Sequence, residues 1–148
     1  MEKSLVLIKP DAVQRGLAGE IISRLEKKGL KMVAMRMLRM DEALARRHYA
    51  IHKGKPFYED LVRFITSGPI IAIVFQGNNA VEAIRQMAGL TDPAKASTGT
   101  IRGDMGMDIG HNLIHGSDSL ENASTEIDLF FTADEIVSYD RAIDRWIY

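Results

Sequence analysis

The run from Ile70 to Phe75 is continuously apolar, and it limits what this chain can fold into more than any other segment. An apolar run of this length, preceded by the chain breaker Ser67-Gly68-Pro69, predicts a buried β-strand. A second apolar run, Leu5 to Ile8, ends at Lys9-Pro10 and predicts a buried first strand. Both runs indicate a sheet and argue against an all-helical bundle.

Two further strands are predicted, and one of them has an unusual pattern. Between Leu30 and Met40 both alternating sets of side chains are mainly apolar, so this strand is expected to be covered on both faces. The cover is either helices on one side with a second subunit on the other, or simple burial inside one subunit. The sequence leaves both open. Leu113-Ile114 predicts a short last strand.

Helical patterns with capping signals separate these strands. They comprise Ile21, Ile22 and Leu25 ended by Gly29; a helix from Asp41 towards Ile51; Leu61, Val62 and Ile65 after Pro56-Phe57; Val81, Ile84, Met87 and Ala88 behind the capping pair Asn79 and Glu82; Leu120, Ala123, Ile127 and Phe130 behind Asp118 and Glu121; and a last segment at Thr132 and Glu135. This order predicts an α+β fold, a ferredoxin-like βαββαβ sandwich with an antiparallel four-stranded sheet and added helices. With no repeat or linker, residues 1–148 are expected to form a single domain.

Composition argues against several classes of function. The net charge is -1, from 19 basic and 20 acidic residues without a basic block, so no nucleic-acid partner is expected. The chain has no cysteine, which excludes disulfides, thiolate zinc sites and cysteine nucleophiles. No apolar run suits a signal peptide or a membrane span, so a cytoplasmic protein without a membrane partner is expected.

The stretch from Thr91 to His115 is loop-like, and long loops of this kind tend to be functional. It ends at His115, whose imidazole can act as a nucleophile when it is neutral. A lone histidine is more often a buried hydrogen-bonded side chain, so its partners must decide. Glu126 could orient the ring, and Lys9, Arg85 and Arg102 are cations that could hold phosphates. None of the common glycine-rich phosphate loops occurs.

A longer pattern surrounds this histidine. Asn112-Leu-Ile-His115-Gly-Ser117-Asp118-Ser119 is similar to the active-site signature of nucleoside diphosphate kinases. The resemblance extends over nearly the whole chain, through Lys9-Pro10-Asp11-Ala12, His48-Tyr49, Lys55-Pro56-Phe57, Arg85, Thr91-Asp92-Pro93, Gly99-Thr100-Ile101-Arg102-Gly103-Asp104 and Glu126. Motifs that match in the same order at this spacing make coincidence an unsatisfactory explanation.

The resemblance implies a ping-pong nucleoside diphosphate kinase that moves a γ-phosphate from a nucleoside triphosphate to a nucleoside diphosphate. His115 would be the phosphorylated nucleophile, supported by Glu126 and Ser117, and Tyr49 would lie close to the transferring group. The nucleotide would be held at its phosphates by Arg85, Thr91 and Arg102, at its ribose by Lys9 and Asn112, with Lys9 also facing the phosphate, and at its base by Phe57.

The resemblance also implies the other components of the reaction. Substrates such as ATP, GDP and UDP would all be accepted, because stacking tolerates any base. Mg²⁺ would bind with the nucleotide, with no metal site of the protein's own, and the chain would form a homotetramer or homohexamer. Three positions depart from the common pattern. Thr98 replaces a frequent proline, His111 replaces an arginine, and Tyr58 replaces a second phenylalanine.

Three alternatives compete with this interpretation. A catalytically idle relative would have lost His115, Lys9 or an arginine, and all are present. A metal hydrolase could use Asp104, Asp108, His111 and His115, but the glycines between them argue against the helix that would align the histidines. A histidine phosphotransfer module would be a helical bundle, which the run Ile70 to Phe75 argues against.

Overall fold

A single sheet of four strands organises the chain, whose computed structural model describes all residues from Met1 to Tyr148. The strands are Glu2–Ile8 (β1), Lys31–Leu38 (β2), Ile70–Gly77 (β3) and Ile114–Gly116 (β4). The α-helices are Pro10–Gln14 (α1), Ala18–Lys27 (α2), Glu42–His48 (α3), Tyr58–Ile65 (α4), Ala80–Ala88 (α5), Ile101–Met105 (α6) and Leu120–Phe130 (α7). Short 3-10 turns lie at Ala50–His52, Ala133–Glu135 and Asp144–Trp146.

The strand order is β2-β3-β1-β4, and every neighbouring pair is antiparallel. The predicted α+β class with a ferredoxin-like βαββαβ order and added helices is therefore confirmed. Strand β1 lies inside the sheet between β3 and β4, and its residue Leu7 is directly opposite His115. The short β4 therefore holds the candidate nucleophile against β1, whose residues Ser4 to Ile8 are buried.

Two hydrophobic clusters cover the two faces of the sheet, as the period-two pattern of a buried strand requires. Leu5 and Leu7 belong to the cluster that includes α3, α4 and α7. Val6 and Ile8 belong to the other cluster, which includes α2 and α5. Residues Leu5 to Ile8 are fully buried, so the framework behind β4 is well packed.

Strand β2 departs from the expectation of full cover. It is an edge strand with a bulge between Met32 and Ala34, and most residues of its second half are exposed. Met35 and Met37 are 50% and 60% exposed. The alternative of burial inside one subunit is therefore wrong for these two residues, and cover by a second subunit stays a prediction.

The capping predictions had mixed outcomes. Asp41 accepts a hydrogen bond from the Leu44 amide at 2.7 Å, and Thr132 with Glu135 forms a capping box around one 3-10 turn. The prediction that Asn79 caps α5 is wrong, because its backbone conformation is left-handed (φ 52°) and its side chain makes no capping hydrogen bond. Its place is taken by the carboxylate of Glu2, 3.3 Å from the Val81 amide.

Helix α7 is capped one residue later than expected, since the Ser119 hydroxyl, not Asp118, accepts from the Asn122 amide at 3.0 Å. The stretch 91–115 also contains α6, a helix that is difficult to predict from sequence because it is short and contains Gly103. Thr100 caps α6 by accepting from the Gly103 amide at 3.0 Å. No helix of the protein is both long and apolar enough to cross a membrane.

Candidate active site

The backbone before His115 is held in a strained conformation by its neighbours. Leu113 is fully buried and has a φ of 74°, a region that branched and bulky side chains rarely adopt. Its amide donates to the Asp11 carboxylate at 3.1 Å, and its carbonyl accepts from the Lys9 amide at 2.9 Å. Contacts from Lys9, directly after β1, and from Asp11 in α1 therefore fix the turn before His115, whose side chain is 24% exposed.

One ring nitrogen of His115 is occupied by a carboxylate. The Nε2 atom contacts Oε2 of Glu126, which projects from α7 and has a side chain only 13% exposed. Because a carboxylate only accepts, this contact requires the proton on Nε2. No protein group hydrogen-bonds to Nδ1, so the lone pair of that nitrogen is free, and the His115 side chain is 24% exposed.

His48, for which the sequence assigned no role, lies directly beside this pair. Its ring packs edge-on against the His115 ring with centroids 4.7 Å apart, and its side chain is 1% exposed. Neither of its nitrogens has a hydrogen-bond partner. Burial, helped by the nearby His115 and Lys9, lowers the pKa of His48 well below its ordinary value, so the ring is neutral. Only its place in the His48-Tyr49 pair could have marked it.

Tyr49 follows at the end of α3, with its ring 4.6 Å from that of His48. Its hydroxyl is buried without a hydrogen-bond partner. Burial raises the pKa of this phenol, and the charge of Glu126 raises it further, so the hydroxyl keeps its proton. The group is a neutral donor without a protein acceptor, close to the carboxylate that holds His115.

Ser117 reaches neither His115 nor Glu126. Its hydroxyl accepts from the Leu5 amide at 3.2 Å and lies 3.4 Å from the Leu5 carbonyl. Since Ser117 follows β4 and is fully buried, these contacts tie the end of that strand to β1. Ser117 therefore supports the histidine through the backbone.

A second group of residues forms a buried chain of hydrogen bonds. The Lys9 ammonium donates to Oδ1 of Asn112 at 2.7 Å, and the Asn112 amide nitrogen donates to the Thr91 carbonyl at 3.1 Å. Burial, with a further contribution from Arg102, lowers the pKa of Lys9 to about 8. Because the Lys9 ammonium is buried, an anion that binds beside it stabilises its charged form.

The Arg102 side chain is hydrogen-bonded to three backbone carbonyls near the Lys9–Asn112 pair. Its guanidinium donates to the carbonyls of Asn112, Gly89 and Ile114 at 3.2, 2.9 and 2.6 Å. Burial lowers the pKa of Arg102 to about 10, and the neighbouring Arg85 contributes. Because it donates to the carbonyl of Ile114, the Arg102 guanidinium lies beside the backbone of the residue that precedes His115.

Two predicted contacts lie on the surface. Arg85, on the last turn of α5, is exposed, and its side chain makes no hydrogen bond or ion pair in the protein. Phe57 precedes α4 and is 46% exposed. Its ring centroid is 5.3 Å from that of His52, whose ring is in turn 6.3 Å from Tyr49. Aromatic contacts thus connect Phe57, through His52 and Tyr49, with His48 beside His115.

The residues of the competing metal hydrolase do not assemble, so that alternative is wrong. The Asp104 carboxylate accepts hydrogen bonds from the Arg24 guanidinium at 2.8 Å and from the Gly99 amide at 2.7 Å. Asp108 pairs with His111 at 3.3 Å on an exposed surface, apart from His115. Of the departures from the family pattern, Thr98 and His111 are exposed, and Tyr58 is buried.

Comparisons with known proteins identify the family to which the chain is similar. The profile of the nucleoside diphosphate kinase family matches residues 2–136. A nucleoside diphosphate kinase of Thermomicrobium roseum is 59% identical over 147 residues, covering 99% of each chain. One from Roseiflexus castenholzii is 55% identical, covering 100% of this chain and 99% of its own.

Solved structures show the same likeness. The nucleoside diphosphate kinase of Halobacterium salinarum in complex with CDP is 54% identical, with a TM-score of 0.97 and coverage of 99% of this chain and 98% of its own. A nucleoside diphosphate kinase family protein from Babesia bovis is 42% identical, with a TM-score of 0.97 over the whole of both chains. The fold and the matches define a phosphotransferase. The chain belongs to the nucleoside diphosphate kinase family, so the resemblance is confirmed.

Proposed function

We propose that this enzyme transfers the γ-phosphate of a nucleoside triphosphate to a nucleoside diphosphate through a phosphohistidine at His115. The observation that carries the proposal is the contact between Nε2 of His115 and Glu126, which leaves Nδ1 as the free nucleophile. A fixed tautomer of this kind is what an imidazole nucleophile needs, because only the unprotonated nitrogen can attack.

In the first half-reaction the Nδ1 lone pair attacks the γ-phosphorus and forms a P–N bond. The bond to the β–γ bridging oxygen breaks, and the nucleoside diphosphate leaves with the electron pair. The ring becomes positively charged while its Nε2 proton stays directed at Glu126, whose carboxylate stabilises that charge. In the second half-reaction a β-phosphate oxygen of another nucleoside diphosphate attacks the same phosphorus, and the imidazole leaves neutral.

Positive charge and positioning account for most of the catalysis, because phosphoryl transfer passes through a loose transition state. Arg85, Arg102 and Thr91 hold the phosphates in this proposal, and the Tyr49 hydroxyl lies close to the transferring group. Lys9 and Asn112 meet the ribose hydroxyls, with Lys9 also facing the phosphate. The mutual contact of Lys9 and Asn112 supports this pairing.

The base stacks on Phe57, whose exposed ring is available for it. Stacking is sequence-tolerant and is worth about 1–3 kcal/mol per base. Purine and pyrimidine nucleotides such as ATP, GDP and UDP are therefore all substrates. The CDP bound to the Halobacterium salinarum relative is consistent with this range.

Mg²⁺ enters with the nucleotide. Around the proposed phosphate positions the protein offers the cations Lys9, Arg85 and Arg102 instead of a set of carboxylates, so phosphate oxygens and water would hold the ion. When bound there, Mg²⁺ neutralises phosphate charge and fixes the triphosphate geometry.

We further propose a cytoplasmic homotetramer or homohexamer of single-domain subunits. The exposed Met35 and Met37 on the edge strand β2, together with Trp146 at 78% exposure, support self-association. The near-neutral net charge gives no support to a nucleic-acid partner.

Steady-state kinetics test the reaction type. With ATP and UDP varied against each other in the presence of magnesium, double-reciprocal plots should give parallel lines, and His115→Gln should abolish turnover. His111→Gln, which changes an exposed histidine outside the site, should retain the activity of the wild type. Intersecting lines, or turnover that survives in His115→Gln, would overturn the proposal.

A further inference from the structure

Three potential metal ligands lie close together in the candidate active site. His48, His115 and Glu126 each offer a ligand atom, and these atoms all lie within 4.8 Å of one another. They come from three elements, namely α3, β4 and α7. Ligand atoms of a tetrahedral zinc ion, at bonds of about 2.0–2.1 Å, are about 3.3 Å apart. The three atoms lie within 4.8 Å of one another, a wider spread than this value, so the side chains would have to move towards a common point to form three bonds.

His48 supplies the observation that points to a ligand. Both of its nitrogens are buried without a hydrogen-bond partner, although buried polar groups are nearly always paired. Its Nδ1 atom lies 3.8 Å from Oε2 of Glu126, too far for a hydrogen bond and suitable for two ligands of one ion. A neutral imidazole is also the form that binds metals.

We propose that His48, His115 and Glu126 form an inhibitory binding site for a borderline transition-metal cation such as Zn²⁺. Two imidazoles and one carboxylate are a donor set that zinc uses with water in its fourth position. Mg²⁺ prefers oxygen ligands in an octahedron, so it does not suit this site. The side chains of His115 and Glu126, 24% and 13% exposed, provide access from the open side.

Inhibition follows from the tautomer that the ion selects. In the working form Nε2 of His115 carries the proton and Nδ1 has the lone pair. Zinc bound at Nε2 uses the lone pair of that nitrogen, so the ring proton must be on Nδ1. The nucleophilic lone pair is then lost without any net release of a proton from His115, and removing the ion restores it.

Direct binding can be measured on the wild-type chain without nucleotide. We would add one equivalent of zinc chloride to ¹⁵N-labelled protein and follow the four histidine rings. The ring nitrogens of His48 and His115 should shift, and those of His52 and His111 should stay unchanged. Shifts confined to His52 or His111 would overturn the proposal, as would the absence of any shift at His48. This experiment needs no variant to fold.

Variants test which side chains bind the ion. Co²⁺ is a spectroscopic substitute for zinc, and its tetrahedral complexes absorb strongly in the visible region. His48→Gln should weaken Co²⁺ binding at least about tenfold, and the matched control His111→Gln should not change it. Equal binding by wild type and His48→Gln would contradict the site. So would loss of binding in His111→Gln, which would place the ion at the surface pair of His111 and Asp108.

Only the inhibition rests on the proposed function, since the binding measurements do not depend on activity. Preincubation of the enzyme with zinc should slow transfer of labelled phosphate to the protein, and a chelator should restore the rate. If zinc shifts His48 and His115 but labelling is unaffected, the tautomer argument fails. If the wild type is never labelled, even without zinc, the phosphohistidine mechanism itself is wrong.

Discussion

The Nε2 atom of His115 contacts the Oε2 atom of Glu126, so one carboxylate decides which ring nitrogen is free to react. The two residues are eleven positions apart and lie on different elements, β4 and α7. Glu126 lies in the second turn of α7, a helix that starts at the Ser119 cap. The chemistry of the site therefore rests on local helix geometry.

Glu126→Gln should lower kcat by about a hundredfold, because the neutral amide no longer stabilises the charge that develops on the ring. Nucleotide affinity should change little, since Glu126 has no role in holding the nucleotide. Stopped-flow measurement of enzyme phosphorylation checks the first statement and calorimetry the second. Glu121→Gln on the exposed side of the same helix is the matched control. Wild-type kcat in Glu126→Gln would contradict the role of the carboxylate.

Nucleotide affinity should depend on the protonation of Lys9. Its pKa of about 8 means that the nucleotide-free protein loses this cation as the pH rises through 8. A bound phosphate favours the charged form, so affinity for a nucleoside diphosphate should fall by up to about tenfold per pH unit above that point. Calorimetry across this range measures it. Lys9→Met should bind weakly with no such dependence, and parallel pH profiles of both proteins would contradict the prediction.

The same pKa predicts a change in stability of the opposite sign. Because the folded-state pKa of Lys9 is below its ordinary value of 10.5, the charged ammonium destabilises the nucleotide-free fold, fully below pH 8. The penalty declines between pH 8 and 10.5, where the unfolded chain still holds the proton. Lys9→Met should therefore raise the free energy of unfolding at neutral pH by about 1–2 kcal/mol, after the lost bond to Asn112 is subtracted.

Arg102 and Arg85 should respond differently to the same substitution. Arg102→Lys removes a planar donor group that serves three carbonyls, so both stability and nucleotide affinity should fall, stability by about 2 kcal/mol. Arg85→Lys changes an exposed side chain without protein partners, so only affinity should fall. Urea unfolding and calorimetry on both variants check this contrast. Equal stability losses would contradict it.

Gly103 lies where no side chain fits. A Cβ there would lie 1.9 Å from the Ser97 carbonyl oxygen, which is backbone and cannot move aside cheaply. Gly103→Ala should therefore lower the free energy of unfolding by about 1–3 kcal/mol and weaken nucleotide binding through the adjacent Arg102. The control Gly19→Ala, in α2 with no atom within 4 Å of its Cβ, should raise stability by roughly 0.5–1 kcal/mol. Thermal unfolding compares the two, and a stable Gly103→Ala with wild-type binding would count against this account.

Much of the fold was predictable because local patterns and burial agree in the central elements. The apolar runs of β1 and β3 reflect strands buried on both faces, and the caps at Asp41 and Thr132 are local effects. Sequence reasoning failed where tertiary contacts replace local ones. Glu2, 77 residues from Asn79 in sequence, accepts the hydrogen bond that Asn79 was expected to accept at the start of α5. Strand β2 is partly exposed because it lies at the edge of the sheet.

The candidate site was only partly predictable, and mainly through the family resemblance. A histidine at a strand end can be noticed, but nothing in the spacing shows that Glu126 meets its Nε2 atom. His48 was noted in the His48-Tyr49 motif but given no role, because its missing hydrogen-bond partner and its ring contact with His115, 67 positions away, are visible only in the structure. The three carbonyls that hold Arg102 are backbone groups, which no motif encodes.

The most direct test is the chemical form of the phosphorylated enzyme. The protein would be incubated with γ-labelled ATP and magnesium, part of it chased with UDP, and the remainder digested to distinguish the two phosphohistidine isomers. The account predicts acid-labile label on Nδ1 of His115, removed by UDP and never formed in His115→Ala. Label on Nε2, label that persists after UDP, or equal labelling of His115→Ala would contradict it.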